Sequence, residues 1–394
     1  MQALLGEMDG YMAQKIRIMQ FVTGGFSGAT SVAVDLAQAF GQIDGVESLL
    51  VLRRKKTTTP ERLATLKQRG IPYALVSGLA YVITISQMAR LCREWKPDIL
   101  VVHGFPEHIL GRWAGLWARV PHLVQVEHNS RERYTPWKLW QSRYLSQKTG
   151  YSIGVSEGVA NVLREQGLHS RIVAIPNGID TDKFAQGSQT PIAHRPKDLI
   201  MVSRFAKSKD QMTLIQALIL LRAKGLRPRL SLFGAGNRRY LSQVQALVTK
   251  HDLDAQVTFC AHTPHVAQEL AEHKVFVMSS FYEGLNLSVI EAMASGCVVV
   301  GSEAVGVKEL IHDGEDGFLF KIGDAERLAH ILESILVNPE SFQRLADNTR
   351  LKAQQLYDKT RVHRAYRDLL LPLVNMGAER RVATGDINSA QNTR

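Results

Sequence analysis

The stretch "DLIMVSRFAKSKDQMTLIQALILLRAKGLRPRLSLFGAGN", residues 198–237, contains one complete strand, helix and strand unit. It opens with the apolar run "DLIMVS" (198–203) and closes with a second run, "RLSLF" (229–233). The segment between the two runs is long enough for a helix and its connections. Two short apolar strands joined in this way predict parallel pairing in a sheet covered on both faces. The turns that follow the strands then lie at one edge of the sheet, where ligands bind in open parallel sheets.

The same alternation extends along the chain in both directions. Further strands are predicted at 15–22, 48–52, 73–76, 98–103, 122–128, 151–155 and 171–175 in the first half, and at 256–260, 274–279, 297–301 and 317–320 in the second. Helix-length segments separate most of them. Two such sheets in tandem predict an α/β protein of two Rossmann-like domains. A length of 394 residues agrees, because it exceeds one ordinary core.

The predicted boundaries follow from these patterns. The segment 175–198 contains Pro, Gly, Asn and Ser without periodicity and is predicted to be the linker. From about 324 to 374 the pattern is purely helical. The polar end of the chain lacks periodicity, and we expect it to be poorly ordered. The resulting units are an N-terminal extension (1–14), a first domain (15–178), a second domain (179–356), a C-terminal helix expected to return to the first domain (357–376) and a polar tail (377–394).

The composition is that of a soluble folded protein, with 45% hydrophobic and 22% charged residues. No apolar run approaches the roughly 18 to 20 residues that cross a bilayer, and the first fourteen residues do not resemble a signal peptide. Cys92, Cys260 and Cys297 are far apart and form no CxxC pair, which argues against a disulfide framework and a structural zinc site. These features favour the cytosol.

The net charge of +11 leans to the first half of the chain. Such an excess suits phosphorylated ligands or an anionic membrane surface. No helix-turn-helix, zinc finger or RNA-binding aromatic signature is visible, so nucleic acid is not expected as a partner.

Two glycine-rich turns follow predicted strands. "TGGFSGAT" (23–30) places bare backbone amides beside a helix start, where a phosphate or a sugar can approach. A tight turn without a ligand explains this stretch equally well, since it is neither a GxGxxG motif nor a P-loop. "LFGAGN" (232–237) allows close backbone approach through Gly234 and Gly236.

A pair of cations follows the first strand of the second half. In "VSRFAKSKD" (202–210), Arg204 ends a strand and Lys209 precedes a helix. Two cations beside a helix start can clamp a diphosphate. The alternative is a solvated basic loop.

Two glutamates flank the start of a predicted helix in "SSFYEGLNLSVIEAMASG" (279–296). Glu283 precedes the helix, where sugar hydroxyls would supply hydrogen-bond donors to a buried carboxylate. Glu291 has two interpretations. Ser288 and Glu291 have the S-x-x-E spacing of a capping box, so Glu291 can have a purely structural role. Alternatively, two carboxylates with helix-terminal amides between them form a nucleotide-sugar site.

"EGLNLSVIEAMASG" resembles the E-x7-E element of retaining GT-B glycosyltransferases, and its surroundings resemble glycosyltransferase family 4. The further motifs are "SRFAKSK", "PNGID" (176–180), "FGAGN" and "GVKELIHDGEDGFLF" (306–320). They occur in the family's order and spacing, and the resemblance covers roughly residues 15–374. It implies a GT-B fold, in which two Rossmann-like domains face each other across a cleft and C-terminal helices pack back toward the first domain.

The resemblance implies roles for individual residues. Arg204 and Lys209 would hold the diphosphate, Glu283 would contact the donor sugar, and Glu291 would bind the ribose. Family members often have glycine near the position of His262 and proline at that of Asn286. The implied catalytic residues are Glu283, His128, Arg204 and Lys209. The implied donor-binding residues are Gly25, Arg204, Lys209, Gly234, His262, Glu283, Gly284, Leu285, Asn286, Leu287 and Glu291.

Two histidines end neighbouring predicted strands of the first domain. His128 in "VEHNSRERY" (126–134) occupies a position where family members commonly place a histidine that faces the donor sugar. His103 in "VVHGFPEH" competes for this role, although a histidine at a strand end is more often structural. We favour His128 as the residue that orients a hydroxyl or handles a proton.

A predicted helix at 134–148 combines aromatic and basic residues. This combination suits a membrane interface or a lipid-linked acceptor. A core-facing aromatic stripe is the alternative, and the spacing slightly favours it. "RRKKTTT" (53–59) is a second candidate for phosphate-rich headgroups or a solvated loop. The proposed acceptor-side or membrane-side residues are Trp137, Trp140, Tyr144, Lys138 and Arg143.

The sequence therefore predicts a hexosyltransferase-type enzyme. It would transfer a sugar from a nucleotide donor, with a UDP-sugar expected, to a glycan or lipid-linked acceptor of cell-surface polysaccharide or lipopolysaccharide, with retention at the anomeric carbon. The resemblance implies that no metal and no cofactor are required, with basic side chains in place of the cation. The expected location is the cytoplasm, with peripheral attachment to the inner face of the membrane. A nucleotide-sugar epimerase of the same fold and a catalytically silent glycan-binding subunit are the alternatives.

Overall fold

The computed structural model describes residues 15–25, 28–130, 134–185, 190–261 and 263–389. The first half of the chain forms a seven-stranded, all-parallel sheet of order β3-β2-β1-β4-β5-β6-β7. Its strands are β1 (Ile16–Thr23), β2 (Val46–Arg53), β3 (Tyr73–Val76), β4 (Ile99–His103), β5 (His122–Glu127), β6 (Tyr151–Gly154) and β7 (Arg171–Ala174).

The second half forms a six-stranded, all-parallel sheet of order β10-β9-β8-β11-β12-β13. Its strands are β8 (Lys197–Val202), β9 (Leu230–Phe233), β10 (Val257–Cys260), β11 (His273–Met278), β12 (Val298–Ser302) and β13 (Phe318–Phe320). The predicted strands and the class of two Rossmann-like domains are confirmed, because continuous Val- and Ile-rich runs form strands that are buried on both faces.

Helices connect the strands. The first half contains α1 (Gly28–Gly41), α2 (Pro60–Gln68), α3 (Tyr81–Trp95), α4 (Glu107–Trp117), α5 (Pro136–Ser146), α6 (Glu157–Glu165) and α7 (Thr181–Ala185). The second contains α8 (Gln211–Ala223), α9 (Arg238–Lys250), α10 (Val266–Glu272), α11 (Leu287–Ala294), α12 (Val305–Lys308), α13 (Ala325–Val337), α14 (Gln343–Tyr357) and α15 (Lys359–Ser389). Short 3₁₀ helices occupy Ile192–His194, Lys207–Lys209 and Pro339–Phe342.

The two faces of the first sheet pack against different helices. In β1, Met19 and Phe21 belong to a core shared with residues of α3 and α4. Ile18 points to the other face, where it shares a core with Leu36 and Phe40 of α1. Because side chains alternate along a strand, this division also fixes which face the polar residues at the strand ends occupy.

The segment between the domains is ordered by contacts with the end of the chain. Lys359 Nζ lies 2.5 Å from Asp180 Oδ2, and Thr181 donates a hydrogen bond of 2.8 Å to Asp358 Oδ2. Residues Thr181–Ala185 of the predicted linker therefore form a short helix. The start of α15 also packs against α1 of the first domain.

The polar end of the chain differs from its predicted disorder. Helix α15 continues through the polar segment to Ser389. Ala, Glu and Arg residues in this segment of the sequence have high helix propensity, which favours a helix there. In the part of the chain that the structure describes, no helix is both long and apolar enough to span a membrane.

Candidate active site

Three loops at the carboxyl edge of the second sheet are joined by hydrogen bonds. Ser279, after β11, donates 2.8 Å to the carbonyl oxygen of Asp210 at the start of α8. The Phe281 amide donates 2.9 Å to the carbonyl of Ser208. Ser302, at the end of β12, donates 2.6 Å to the carbonyl of Ser280. The loop that carries the first glutamate is thus fixed against the loop that carries the cations.

Lys209 and Glu283 form a salt bridge within this assembly. Lys209 Nζ contacts Glu283 Oε1, and both side chains are largely buried. Ser280 Oγ donates a 2.6 Å hydrogen bond to the same carboxylate oxygen. The structure therefore brings together a cation and a carboxylate that lie 74 positions apart in the sequence.

Arg204 lies in the loop after β8 and differs from Lys209 in its surroundings. Its side chain is exposed, and it forms no ion pair within the described residues. The carbonyl of Arg204 accepts a 3.0 Å hydrogen bond from Gln211 Nε2, which fixes the loop backbone. Arg204 is thus an exposed cation on a fixed backbone, close in sequence to the largely buried Lys209.

Helix α11 begins at Leu287 with Asn286 as its N-cap. The Asn286 side chain accepts a 3.3 Å hydrogen bond from the Val289 amide. Within the described residues, the amides of Leu287 and Ser288 donate to no protein group. These free N–H groups, with the positive end of the helix dipole, can bind an anion.

The position of this N-cap rules out the capping-box interpretation of Glu291. Ser288 is already inside the helix, so it cannot be the residue that caps it. The Glu291 carboxylate accepts no hydrogen bond from the described residues. Burial raises the pKa of Glu291 to about 7, and the nearby Lys183 partly opposes this increase. A carboxyl group with no protein partner and a raised pKa is a candidate for ligand binding.

Two glycines of the predicted set are required by close backbone contacts. Gly234 has a φ of +144°, and a side chain there would collide with the carbonyl oxygen of Ser203. A side chain at Gly284 would collide with the carbonyl oxygen of His128 in the first domain. Gly25 has no such restriction. Leu285 is buried, Leu287 is half-buried, and His262 lies outside the described residues.

The two predicted histidines of the first domain are bonded to each other. His103 Nδ1 lies 3.2 Å from His128 Nε2, and His103 Nε2 lies 2.7 Å from Oε1 of Gln20. Burial lowers the pKa of His128 to about 4. Burial and the neighbouring His128 lower the pKa of His103 well below its ordinary value. His103 is therefore not a competitor of His128 but its direct hydrogen-bond partner.

Contacts across the cleft include residues that the sequence did not reveal. Ser130 Oγ donates 2.6 Å to the carbonyl oxygen of Glu283. Glu309, directly after α12, accepts hydrogen bonds from Ser156 Oγ and from the amides of Glu157 and Gly158 at the start of α6, at 2.7 to 3.0 Å. Each contact joins positions 151 to 153 residues apart. No local pattern could have predicted them.

A second buried polar network lies in the first domain, next to His128. Tyr134 Oη is 2.6 Å from His108 Nε2 and 3.4 Å from Glu127 Oε2. Arg112 is fully buried and reaches His108 Nδ1 at 2.8 Å. Glu127 Oε1 also accepts a 3.0 Å hydrogen bond from the backbone amide of His128. This network supports the backbone on which His128 sits.

The exposure of the aromatic side chains of α5 contradicts one prediction. The favoured core-facing aromatic stripe is wrong, because Trp137 is 64% and Trp140 51% exposed. The opposite side of α5 is buried instead, where Ser142 accepts a 3.1 Å hydrogen bond from Arg112. The exposed rings stack on one another, with centroids 4.8 Å apart for Trp137 and Trp140 and 5.9 Å apart for Trp140 and Tyr144.

The basic residues of α5 have separate contacts. Lys138 Nζ lies 4.8 Å from the ring centroid of Phe105, in a cation–π contact. Arg143 donates 2.7 Å to the carbonyl of Gln166. Among the residues that the structure describes, no cluster of His, Cys, Asp and Glu has the composition of a metal site.

Both halves of the chain match models of known protein families. Residues 26–183 match Glycosyltransferase Family 4, and residues 182–352 match Glycosyl transferases group 1. The putative glycosyltransferase EpsD of Bacillus subtilis is 27% identical over 319 residues, which cover 72% of this chain and 80% of EpsD. The lipopolysaccharide core biosynthesis glycosyltransferase LpsE of Rhizobium meliloti is 24% identical over 359 residues, which cover 90% of this chain and 99% of LpsE.

Solved structures share the fold. HepE of Anabaena, crystallised in complex with UDP and glucose, aligns with a TM-score of 0.78 at 20% identity and covers 90% of this chain and 99% of its own. The apo form of the lipopolysaccharide outer core galactosyltransferase WaaB aligns with a TM-score of 0.67 at 16% identity, covering 90% of this chain and 98% of its own.

Proposed function

The chain belongs to the GT-B glycosyltransferases, with a Family 4 model over its first half and a group 1 model over its second, and from this premise we propose that it is a retaining enzyme that uses a UDP-sugar. Its acceptor is a glycan or lipid-linked hydroxyl in cell-surface polysaccharide or lipopolysaccharide biosynthesis. The kinds of relatives that it matches support this acceptor class.

One observation carries the proposal. Lys209 is paired with Glu283, which precedes the free amides at the start of α11. Arg204 lies in the same loop as Lys209, after β8. Preorganised cations and helix-terminal amides stabilise an anion that develops charge. A departing diphosphate is such an anion. In this proposal, the Glu291 carboxyl, one helix turn further along, binds the ribose hydroxyls.

The chemistry follows from these groups. As the bond between the anomeric carbon and the diphosphate breaks, negative charge grows on the leaving group and positive character grows on the sugar. Lys209 and Arg204 stabilise the former, and the Glu283 carboxylate stabilises the latter. Attack of the acceptor hydroxyl from the side of the leaving group gives retention, with the diphosphate taking up the proton.

A direct experiment separates the three functions considered, which are a glycosyltransferase, an epimerase and a catalytically silent subunit. The purified protein is first screened by thermal shift against nucleoside diphosphates and nucleotide sugars, since a ligand at 100 times its dissociation constant stabilises the fold by about 2.7 kcal/mol. The stabilising donor is then incubated with acceptor. Release of nucleoside diphosphate with a glycosylated product supports the proposal. Binding without release identifies a silent subunit, and a changed sugar without release of diphosphate from the product identifies an epimerase.

The absence of a metal requirement is a testable part of the proposal. Because Arg204, Lys209 and the α11 amides supply positive charge at the diphosphate, turnover should be unchanged after exhaustive treatment with EDTA. The measurement is the initial rate of nucleoside diphosphate release before and after chelation. An activity that disappears with EDTA and returns only with a divalent cation would contradict this assignment.

We also place the acceptor side of the enzyme against an anionic membrane. Besides the stacked rings of α5, a second apolar surface lies at the start of α3, where Leu79 is 91% and Val82 72% exposed. The two surfaces lie on the same side of the first sheet, because α4 packs against both α3 and α5. Exposed apolar side chains of this kind mark interaction sites.

Basic residues adjoin the apolar surface at the start of α3. Arg54, Lys55 and Lys56 are exposed in the loop after β2. The backbone of Gly78 packs so closely on the carbonyl of Arg54 that a side chain at Gly78 would not fit. Apolar residues rimmed by cations fit an anionic bilayer surface, at roughly 1 kcal/mol per well-placed basic residue.

The protein should therefore float with vesicles that contain phosphatidylglycerol at low salt, and less so at high salt, because salt screens the basic residues. Neutral phosphatidylcholine vesicles should bind less protein. Val82→Asp and Trp137→Ala should reduce flotation. Turnover with a water-soluble acceptor should remain normal in Val82→Asp, since Val82 is not one of the proposed donor-binding or acceptor-side residues.

Two matched variants test the location of the surface. Val337 and Trp117 are also exposed, but Val337 ends α13 in the second domain and Trp117 ends α4 at the far end from the cleft. Val337→Asp and Trp117→Ala should float like the unmodified protein. If flotation falls equally in these two variants and in Val82→Asp and Trp137→Ala, the surface formed by α3 and α5 does not face a membrane. The same conclusion follows if the unmodified protein does not bind anionic vesicles at low salt.

A further inference from the structure

Three polar side chains of neighbouring strands meet in the first sheet. Gln20 lies in β1, His103 is the last residue of β4, and His128 follows β5. By strand alternation they point to the same face as Ile18 and Val126, which is the face that α1 covers. Helix α1 begins beside the start of α11, because Gly28 lies near Leu287. The three side chains are therefore on the cleft side of the domain.

The direction of the hydrogen bonds within this group follows from the orientation of the Gln20 amide, whose Nε2 has no hydrogen-bond partner within the described residues. Gln20 Oε1 lies 2.7 Å from His103 Nε2 and, as a carbonyl oxygen, can only accept. His103 must then carry its proton on Nε2, which leaves its Nδ1 as a bare acceptor when the ring is neutral. His103 Nδ1 lies 3.2 Å from His128 Nε2, so His128 is the donor. His128 thus carries its proton on Nε2.

The remaining nitrogen of the His128 ring is Nδ1. His128 Nδ1 is shielded from solvent and forms no hydrogen bond within the described residues. In the tautomer just derived, Nδ1 is an acceptor lone pair. A buried acceptor without a donor is unfavourable, and a ligand hydroxyl would satisfy it.

We propose that Gln20 and His103 are positioning residues that hold His128 in the Nε2–H tautomer, so that His128 Nδ1 accepts a hydrogen bond from a sugar hydroxyl. The identity of the hydroxyl rests on the proposed function, whereas the tautomer does not. Burial keeps His128 neutral, which matters because a cationic imidazolium would oppose the positive character that grows on the transferred sugar.

The charged groups around His128 belong to three elements. Glu127 on β5 accepts from the His128 backbone amide, and the salt-bridged Lys209 and Glu283 lie across the cleft, where Ser130 binds the Glu283 carbonyl. Within the described residues, the imidazole ring itself bonds only to His103. The protonation of the ring therefore depends chiefly on its burial.

The tautomer can be read directly in the unmodified protein. In full-length protein labelled with ¹⁵N, long-range ¹H–¹⁵N spectra distinguish protonated from bare imidazole nitrogens, and His128→Gln assigns the signals. We expect a protonated Nε2 and a bare Nδ1 at neutral pH. A protonated Nδ1 would overturn the proposal, because it would mean that the hydrogen bonds run in the opposite direction.

Variants of Gln20 test whether the hydrogen-bond relay of Gln20, His103 and His128 sets the tautomer of His128. Gln20→Leu removes the acceptor, so His128 should show a mixture of tautomers, and turnover should fall by on the order of 10-fold with nucleoside diphosphate affinity unchanged. Gln20→Glu keeps the acceptor and adds negative charge, which favours the protonated imidazoles. The acidic limb of its pH–rate profile should therefore move to higher pH.

Gln125 provides a matched control. It is a fully buried glutamine on β5 that points to the opposite face, and its side chain has no hydrogen-bond partner in the described chain. Gln125→Leu should leave the His128 tautomer and the pH profile unchanged. If Gln20→Leu and Gln125→Leu behave alike in both measurements, the relay has no positioning role. If the expected tautomers appear but no sugar is transferred from any nucleotide, the relay stands and the proposed function fails.

Discussion

Lys209→Ala and Arg204→Ala should each lower turnover of the nucleotide-sugar donor by on the order of 100-fold or more. Each variant removes a preorganised positive charge from the position where the departing diphosphate gains negative charge, and the loss of one such contact typically has this effect. The measurement is kcat for release of nucleoside diphosphate at saturating donor. Near-normal turnover in both variants would contradict the assignment of this loop to the leaving group.

The two variants should differ in stability, which separates catalysis from folding. Lys209 is largely buried and pairs with Glu283, so Lys209→Ala leaves a carboxylate without its cation and should lower the melting temperature. Arg204 is exposed and unpaired in the described chain, so Arg204→Ala should melt normally. Lys207 is an exposed lysine of the same loop and serves as the control. Lys207→Ala should retain most of the activity. This result would show that removing a positive charge from the loop is not by itself sufficient to stop catalysis.

The sheets were predictable because their signal is local. Strands such as β12, "VVVGS", are continuous apolar runs that only a doubly covered parallel sheet accommodates. The start of α11 was harder, since the sequence contains two overlapping N-terminal signals. Asn286 and Ser288 are both good cap residues, and only the backbone shows that Asn286 has this role. The functional interpretation of Glu291 depended on that two-residue difference.

The orientation of α5 and the contacts across the cleft were not predictable from local pattern. Helical spacing places Trp137, Trp140 and Tyr144 on one face, but it does not say whether that face meets the core or the solvent. The bond from Ser130 to the Glu283 carbonyl depends on how two domains meet, and it spans 153 residues. Gln20 had no motif at all. Its role follows only from its position on β1 beside the end of β4.

Glu291→Gln should weaken the binding of nucleoside diphosphate and of the whole donor alike. The substitution preserves size but removes the charged acceptor for the ribose hydroxyls, and charge-assisted hydrogen bonds are worth roughly 1.5 to 3 kcal/mol. Isothermal titration calorimetry of the variant with both ligands measures the change. The position of the N-cap at Asn286 means that the loss should not arise from an unravelled helix, and circular dichroism checks this.

Proton release provides an independent measure of Glu291. Because its pKa lies at about 7 in the free protein, part of the population is protonated at neutral pH. Hydroxyl donors favour the ionised form, so nucleotide binding should release protons near pH 7, which calorimetry detects in buffers of different ionisation enthalpy. The raised pKa also means that the folded state retains the proton to higher pH than the unfolded state. The free energy of unfolding should therefore fall as pH rises from the ordinary carboxyl range to about 7, and Glu291→Gln should remove both effects.

Glu283→Gln should behave differently in kind. The Glu283 carboxylate is engaged by Lys209 and Ser280 and faces the transferred sugar in our proposal, so its loss should leave nucleoside diphosphate affinity nearly unchanged. Turnover should instead fall by on the order of 100-fold, because the lost interaction strengthens only as the sugar gains positive character in the transition state. Binding and kcat measured side by side for Glu283→Gln and Glu291→Gln test this division. If both variants lose nucleotide affinity equally, or if neither does, then the two glutamates do not divide the donor between its sugar and its ribose.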